Sequence, residues 1–104
     1  MSRWIRIATV DQCPAGAALE CVADDRVLAL LNVDGELFAL DGICPHQAGP
    51  LGKGSLTGHT VTCPWHGWQF DVRDGKSQIT PSLCQATFPV KVVDGEVFVD
   101  LAAG

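Results

Sequence analysis

Apolar residues in this chain come in short runs broken by Asp-Gly and other turn signals, and no segment repeats them at the spacing of a helix. Val27 to Val33 is almost continuously apolar, and Leu37-Phe38-Ala39-Leu40 follows it across Asp34-Gly35. Glycine accepts the positive φ that a tight hairpin requires, so Asp-Gly between two such runs predicts a pair of antiparallel strands. The dipeptide recurs at Asp74-Gly75 and at Asp94-Gly95. The last separates Val90-Lys91-Val92-Val93 from Glu96-Val97-Phe98-Val99, where alternation predicts one buried face. Arg3 to Ala8 alternates in part, and Ala18 to Ala23 reads as a further strand. The pattern predicts an all-β chain with no linker, internal repeat or low-complexity tract.

A length of 104 residues predicts one domain, 1–104, with a real core and much exposed surface. Seven basic against twelve acidic residues give a formal charge of -5, which disfavours nucleic acid as a partner. The longest apolar run, Val27 to Leu31, is far short of a membrane span, so no membrane association is expected. The start, Met1-Ser2-Arg3-Trp4-Ile5-Arg6, lacks the apolar core of a signal peptide.

The chemistry concentrates in four residues. Cys44 and His46 form one pair, and Cys63 and His66 form a second after sixteen intervening residues. Each pair brings one thiolate and one imidazole. Structural zinc sites also use two Cys and two His, but usually group like with like, whereas here they alternate. Four unrelated core residues are a further reading, since cysteine packs well as a small hydrophobe. With Cys44 and Cys63 assigned to a metal, Cys13, Cys21 and Cys84 remain. An odd set of thiols fits a reducing compartment, so a cytoplasmic location is expected. Each of the three is expected to be a packed small side chain, with Cys84 set apart by following Pro81-Ser82.

Two blocks, Cys44-Pro45-His46-Gln47-Ala48-Gly49-Pro50-Leu51 and Cys63-Pro64-Trp65-His66-Gly67-Trp68-Gln69-Phe70-Asp71, resemble the cluster loops of the Rieske [2Fe-2S] family. The resemblance implies an antiparallel β-sandwich base with a small inserted cluster-binding lobe, about residues 42–71. It implies one [2Fe-2S] cluster with Cys44 and Cys63 on one iron and His46 and His66 on the other. Pro45 and Pro64 restrict the cysteines before them and stiffen both loops. A rim of Pro45, Gln47, Trp65, Pro81 and Leu83 is expected around the outer imidazole edges.

Departures from the family's respiratory members are informative. Those members carry a disulfide between the loops, and the matching positions here are Gly49 and Trp65. They also offer a Ser and a Tyr hydroxyl near the cluster, where this chain has Trp68 and Phe70, which cannot supply such donors there. Hydrogen bonds to sulfur favour the electron-rich reduced state, so their loss implies a potential of about −150 mV rather than about +300 mV. The potential is further expected to fall as rising pH ionises the imidazole ligands.

The resemblance implies a soluble one-electron carrier, passing electrons from a flavin-dependent ferredoxin reductase to a terminal oxygenase that acts on an aromatic compound. A small subunit of an assimilatory nitrite reductase is the alternative, and a zinc-stabilised interaction module is a reading from another class. The chain is not expected to be an enzyme. A mononuclear iron site of two His and a carboxylate is out of reach, because only His59 remains beyond the four ligands. His59, in Gly58-His59-Thr60, is expected in an exposed turn.

Overall fold

Val27 to Val33 is apolar but for Asn32 because both faces of its strand are covered. A computed structural model describes residues 2–43, 49–65, 67–78 and 83–103. Its strands begin with β1 (Trp4–Thr9), β2 (Ala18–Ala23), β3 (Arg26–Val33) and β4 (Glu36–Asp41). Then come β5 (Ser55–Thr57), β6 (Thr60–Thr62), β7 (Gln69–Asp71), β8 (Thr87–Phe88), β9 (Val90–Val93) and β10 (Glu96–Asp100). The helical content among the described residues is three single 3₁₀ turns, Val10–Gln12, Leu51–Lys53 and Leu101–Ala103. None is long and apolar enough to cross a membrane.

Three antiparallel sheets stack on one another. A sheet ordered β1-β10-β9 lies on one side, β2-β3-β4-β8 forms the middle, and β5-β6-β7 lies on the other side. β3 belongs to two cores at once. Leu28 and Leu30 point into a cluster with Ala8, Cys13, Cys21, Val97 and Val99. Ala29, Leu31 and Val33 point the opposite way, into a cluster with Leu51, Val61, Cys63 and Phe70. A strand with period-two side chains and no solvated face reads as an unbroken apolar run. Burying a side chain the size of leucine or phenylalanine contributes about 1.5–3 kcal/mol, so the second cluster anchors β5-β6-β7 to the middle sheet.

Turn chemistry sets the hairpins. Asp34 and Gly35 turn β3 into β4 with φ of 51° and 95°, and Asp94 and Gly95 turn β9 into β10 with 51° and 78°. The β2–β3 hairpin uses Asp24 and Asp25 at φ 50° and 64°, without a glycine. Short polar side chains tolerate that region, and Asp24 is paired with Arg3.

Three expectations are corrected. β9 does not bury alternate residues, because it is a sheet edge; Val92 and Val93 are 49% and 46% exposed. Cys13 and Cys21 are buried as expected, but Cys84 is exposed, its thiol directed at the Asp74 carbonyl at 3.3 Å. His59 lies in the β5–β6 turn as expected, but is partly buried rather than exposed. Its carbonyl accepts the Val72 N–H at 2.9 Å, and its ring meets Phe38 edge-on with centroids 6.0 Å apart.

Candidate metal centre

Each ligand segment leaves the fold from a fixed root. After β4, Ile43 pairs with Pro50 as an isolated antiparallel bridge, and the Leu51 N–H donates to the Gly42 carbonyl at 2.9 Å. These contacts close the first loop at its base. The second loop runs between β6 and β7, which pair as Thr62↔Gln69. The Cys63 N–H donates to the Trp68 carbonyl at 2.7 Å, so the loop is tightly drawn. Leu51, Val61, Cys63 and Phe70 are all within 1% of full burial, which holds both roots on the same apolar floor.

Of the four proposed ligands, Cys63 lies among the described residues, while Cys44, His46 and His66 lie outside them, as do Pro45, Gln47 and Pro81 of the expected rim. The loops touch at Gly49. A methyl group there would come within 2.5 Å of Cys63 Sγ and 3.1 Å of Trp65 Cβ. Only hydrogen fits, and it lets the end of one loop close over the thiol of the other. Cys63 lies in this cradle, and the sequence of each loop carries one Cys and one His, a donor set that fits a two-iron cluster with unequal irons.

Several surrounding groups shape this centre. Trp65 is 50% exposed beside the buried thiol, and Ile43 is 41% exposed at the root of the other loop. Leu83 is partly buried. Trp65 therefore belongs to the surface and is not packed under the loop. Phe70 is fully buried and brings no hydroxyl. At the end of β7, Arg73 donates to both oxygens of Asp71, at 3.0 and 2.7 Å, and holds that carboxyl below the usual range.

Gln85 is a residue that sequence reasoning missed. It is buried, and its side-chain amide donates to the carbonyls of Asp41 at 2.9 Å and Ile43 at 2.7 Å, at the threshold of the first loop. Nothing in the run Leu83-Cys84-Gln85-Ala86 distinguishes it from a solvated polar residue.

The described scaffold is all-β, and the roots of two loops whose sequences carry one Cys and one His each lie on a common apolar floor. The Rieske [2Fe-2S] domain model matches residues 3–93, and the chain belongs to that family. The ferredoxin component of the naphthalene 1,2-dioxygenase system of Pseudomonas aeruginosa is 34% identical over 101 residues, covering 96% of this chain and 97% of that relative. The ferredoxin of Sphingomonas yanoikuyae B1 is 32% identical with a TM-score of 0.85, over 94% of this chain and 98% of the other. In a complex of reduced oxygenase and oxidized ferredoxin of carbazole 1,9a-dioxygenase, the matched chain is 27% identical with a TM-score of 0.84, over 93% of this chain and 92% of the other. A Mycobacterium tuberculosis protein assigned as an NADH-dependent nitrite reductase small subunit has a TM-score of 0.87 at 20% identity, covering 96% of each chain, and shares the fold alone.

The chain is thus an electron carrier of the Rieske ferredoxin type with one Rieske-type [2Fe-2S] cluster, and not itself an enzyme. The zinc reading falls with that assignment.

Proposed function

We propose that the chain is the ferredoxin component of a ring-hydroxylating oxygenase system, taking single electrons from a flavin-dependent reductase and delivering them to a terminal oxygenase. Its cluster is held by Cys44, His46, Cys63 and His66, in a lobe of about residues 42–71. The observation that carries the ligand reading is the contact of the two loops at Gly49, Cys63 and Trp65. When bound, the cluster supplies reversible one-electron exchange.

The protein's own residues do the rest. Cys63 is buried to 1%, which keeps water from its thiolate. Ile43 and Trp65 offer an apolar face beside the loops on which a partner can approach. A formal charge of -5 steers the carrier toward a basic partner surface, an effect that salt screens. A cytoplasmic location suits a chain whose buried thiols, Cys13 and Cys21, are unpaired.

Iron and acid-labile sulfide analysis with electron paramagnetic resonance of the reduced protein tests the ligands. Two irons and two sulfides per chain, with the spectrum lost in His46→Ala and in His66→Ala, are expected. A spectrum unchanged by either substitution removes imidazole from the ligand set. The partner reading is tested by reconstituted electron transfer from a flavin-dependent reductase through this chain to a ring-hydroxylating oxygenase. Failure with every such pair, alongside capture of a large reductase subunit from the native host, overturns it.

A further inference from the structure

Two buried side-chain amides serve as clips in this fold, one at each end. Asn32 donates to the Cys13 carbonyl at 2.8 Å and accepts from the Gly35 N–H at 2.7 Å, at the end that carries the β3–β4 turn. Gln85 works at the opposite end, where β4 runs out into the first ligand loop.

Its position links three segments. Gln85 Nε2 donates to the Asp41 and Ile43 carbonyls, and the Asp41 N–H donates to the Ala86 carbonyl at 2.9 Å. Ile43 directly precedes Cys44. Since the peptide unit is planar, holding the Ile43 carbonyl fixes the direction in which the chain departs toward that cysteine. The Gln85 N–H donates to the Gly75 carbonyl at 2.7 Å. Gly75 lies on the return path from the second loop: its own N–H donates to the Asp71 carbonyl at the end of β7, at 2.8 Å. At φ 78° with the Gln85 carbonyl where a Cβ would stand, position 75 accepts no side chain, so this approach is tight.

We propose that Gln85 is a positioning residue that sets the spacing between the two ligand loops, and through it the retention and the potential of the cluster. The chain needs an amide here because two carbonyls, flanking Gly42, face one buried point and both require a donor. This inference rests on the ligand reading given above.

The test compares Gln85→Met, which keeps length but donates nothing, and Gln85→Asn, which keeps the amide one methylene short, with Asn32→Asp as the control clip. The holoprotein is followed by bleaching of its visible absorbance under excess chelator, by voltammetry, and by thermal melting of the β-sheet signal. Losing two hydrogen bonds of ordinary strength is expected to make Gln85→Met bleach about tenfold faster and to shift its potential. Asn32→Asp is expected to melt earlier yet bleach within about twofold of wild type.

Should Gln85→Met not fold, the same acceleration is expected in Gln85→Asn. The proposal is overturned if the Gln85 variant that folds bleaches at the wild-type rate with an unchanged potential. It is equally overturned if all variants, Asn32→Asp included, bleach in proportion to their loss of melting temperature. Either result leaves the wild-type resonance spectrum intact, whereas failure of the ligand reading shows in His46→Ala and His66→Ala.

Discussion

Gly49 leaves no room for a side chain against Cys63, since a methyl carbon there would stand 2.5 Å from the sulfur. With the loops packed as they are here, only hydrogen fits at this position. Gly49→Ala forces the sulfur or the loop to move, and overpacking of this kind costs about 1–3 kcal/mol. The expected outcome is cluster retention under chelator lowered about tenfold, with the melting of the β-sheet signal little changed. Iron content after timed exposure to chelator checks it.

Phe70 is fully buried in the same apolar cluster as Cys63, and Trp68 closes the loop through its carbonyl. Neither side chain gives the cluster sulfurs an O–H donor. The wild-type potential is expected at about −150 mV, near the low end for this cluster type. Replacing Trp68→Ser and Phe70→Tyr together is expected to raise it by roughly 60 mV for each hydrogen bond gained. Protein-film voltammetry measures both values, and no rise would assign the low potential to burial and charge instead.

The three cysteines outside the ligand set should differ in reactivity. Burial pushes the Cys21 thiol up to about 11, with neighbouring Cys13 and Glu20 adding to the effect, and burial raises Cys13 as well. Cys84 is exposed. At pH 8 roughly one Cys21 in a thousand would be thiolate even before shielding is counted. Brief alkylation of the native holoprotein is expected to label Cys84 and to spare Cys13 and Cys21, as read by mass spectrometry, and Cys84→Ser is expected to abolish fast labelling.

Acid should loosen the closure of the chain ends. Asp100 accepts the Arg3 N–H at 2.7 Å and the Ala102 N–H at 3.0 Å, which hold its carboxyl below the usual range. A depressed carboxyl contributes stability that is complete above the unfolded value of about 4 and is lost as pH falls through the native value. Asp100→Asn is therefore expected to melt below wild type at pH 7, with the gap narrowing toward pH 3. Melting curves across that range check the sign.

Much of this molecule is legible in its residues, for reasons that differ by element. The hairpin at Asp34-Gly35 and the alternation of Val97 and Val99 follow from local chemistry, so the sequence predicts them directly. β9 escaped because an edge position is a property of the sheet, and Val92 has the same side chain whether or not a neighbour covers it. The candidate role of Cys63 comes from its motif alone, whereas the close approach of Gly49 to its sulfur is invisible in the sequence, since it arises between loops. Gln85 was silent for the same reason: its partners, Asp41 and Ile43, are more than forty positions away.

The double-faced burial of β3 divides labour within a very small protein. Leu28 and Leu30 serve a core whose described residues include none of the proposed ligands, while Ala29 and Leu31, one step along the same backbone, serve the core that holds Cys63. Substitutions on the first side are expected to change stability, whereas those on the second change stability and the packing around Cys63 together. Alternate residues of a single strand thus answer to two different neighbourhoods, one remote from that thiol and one surrounding it.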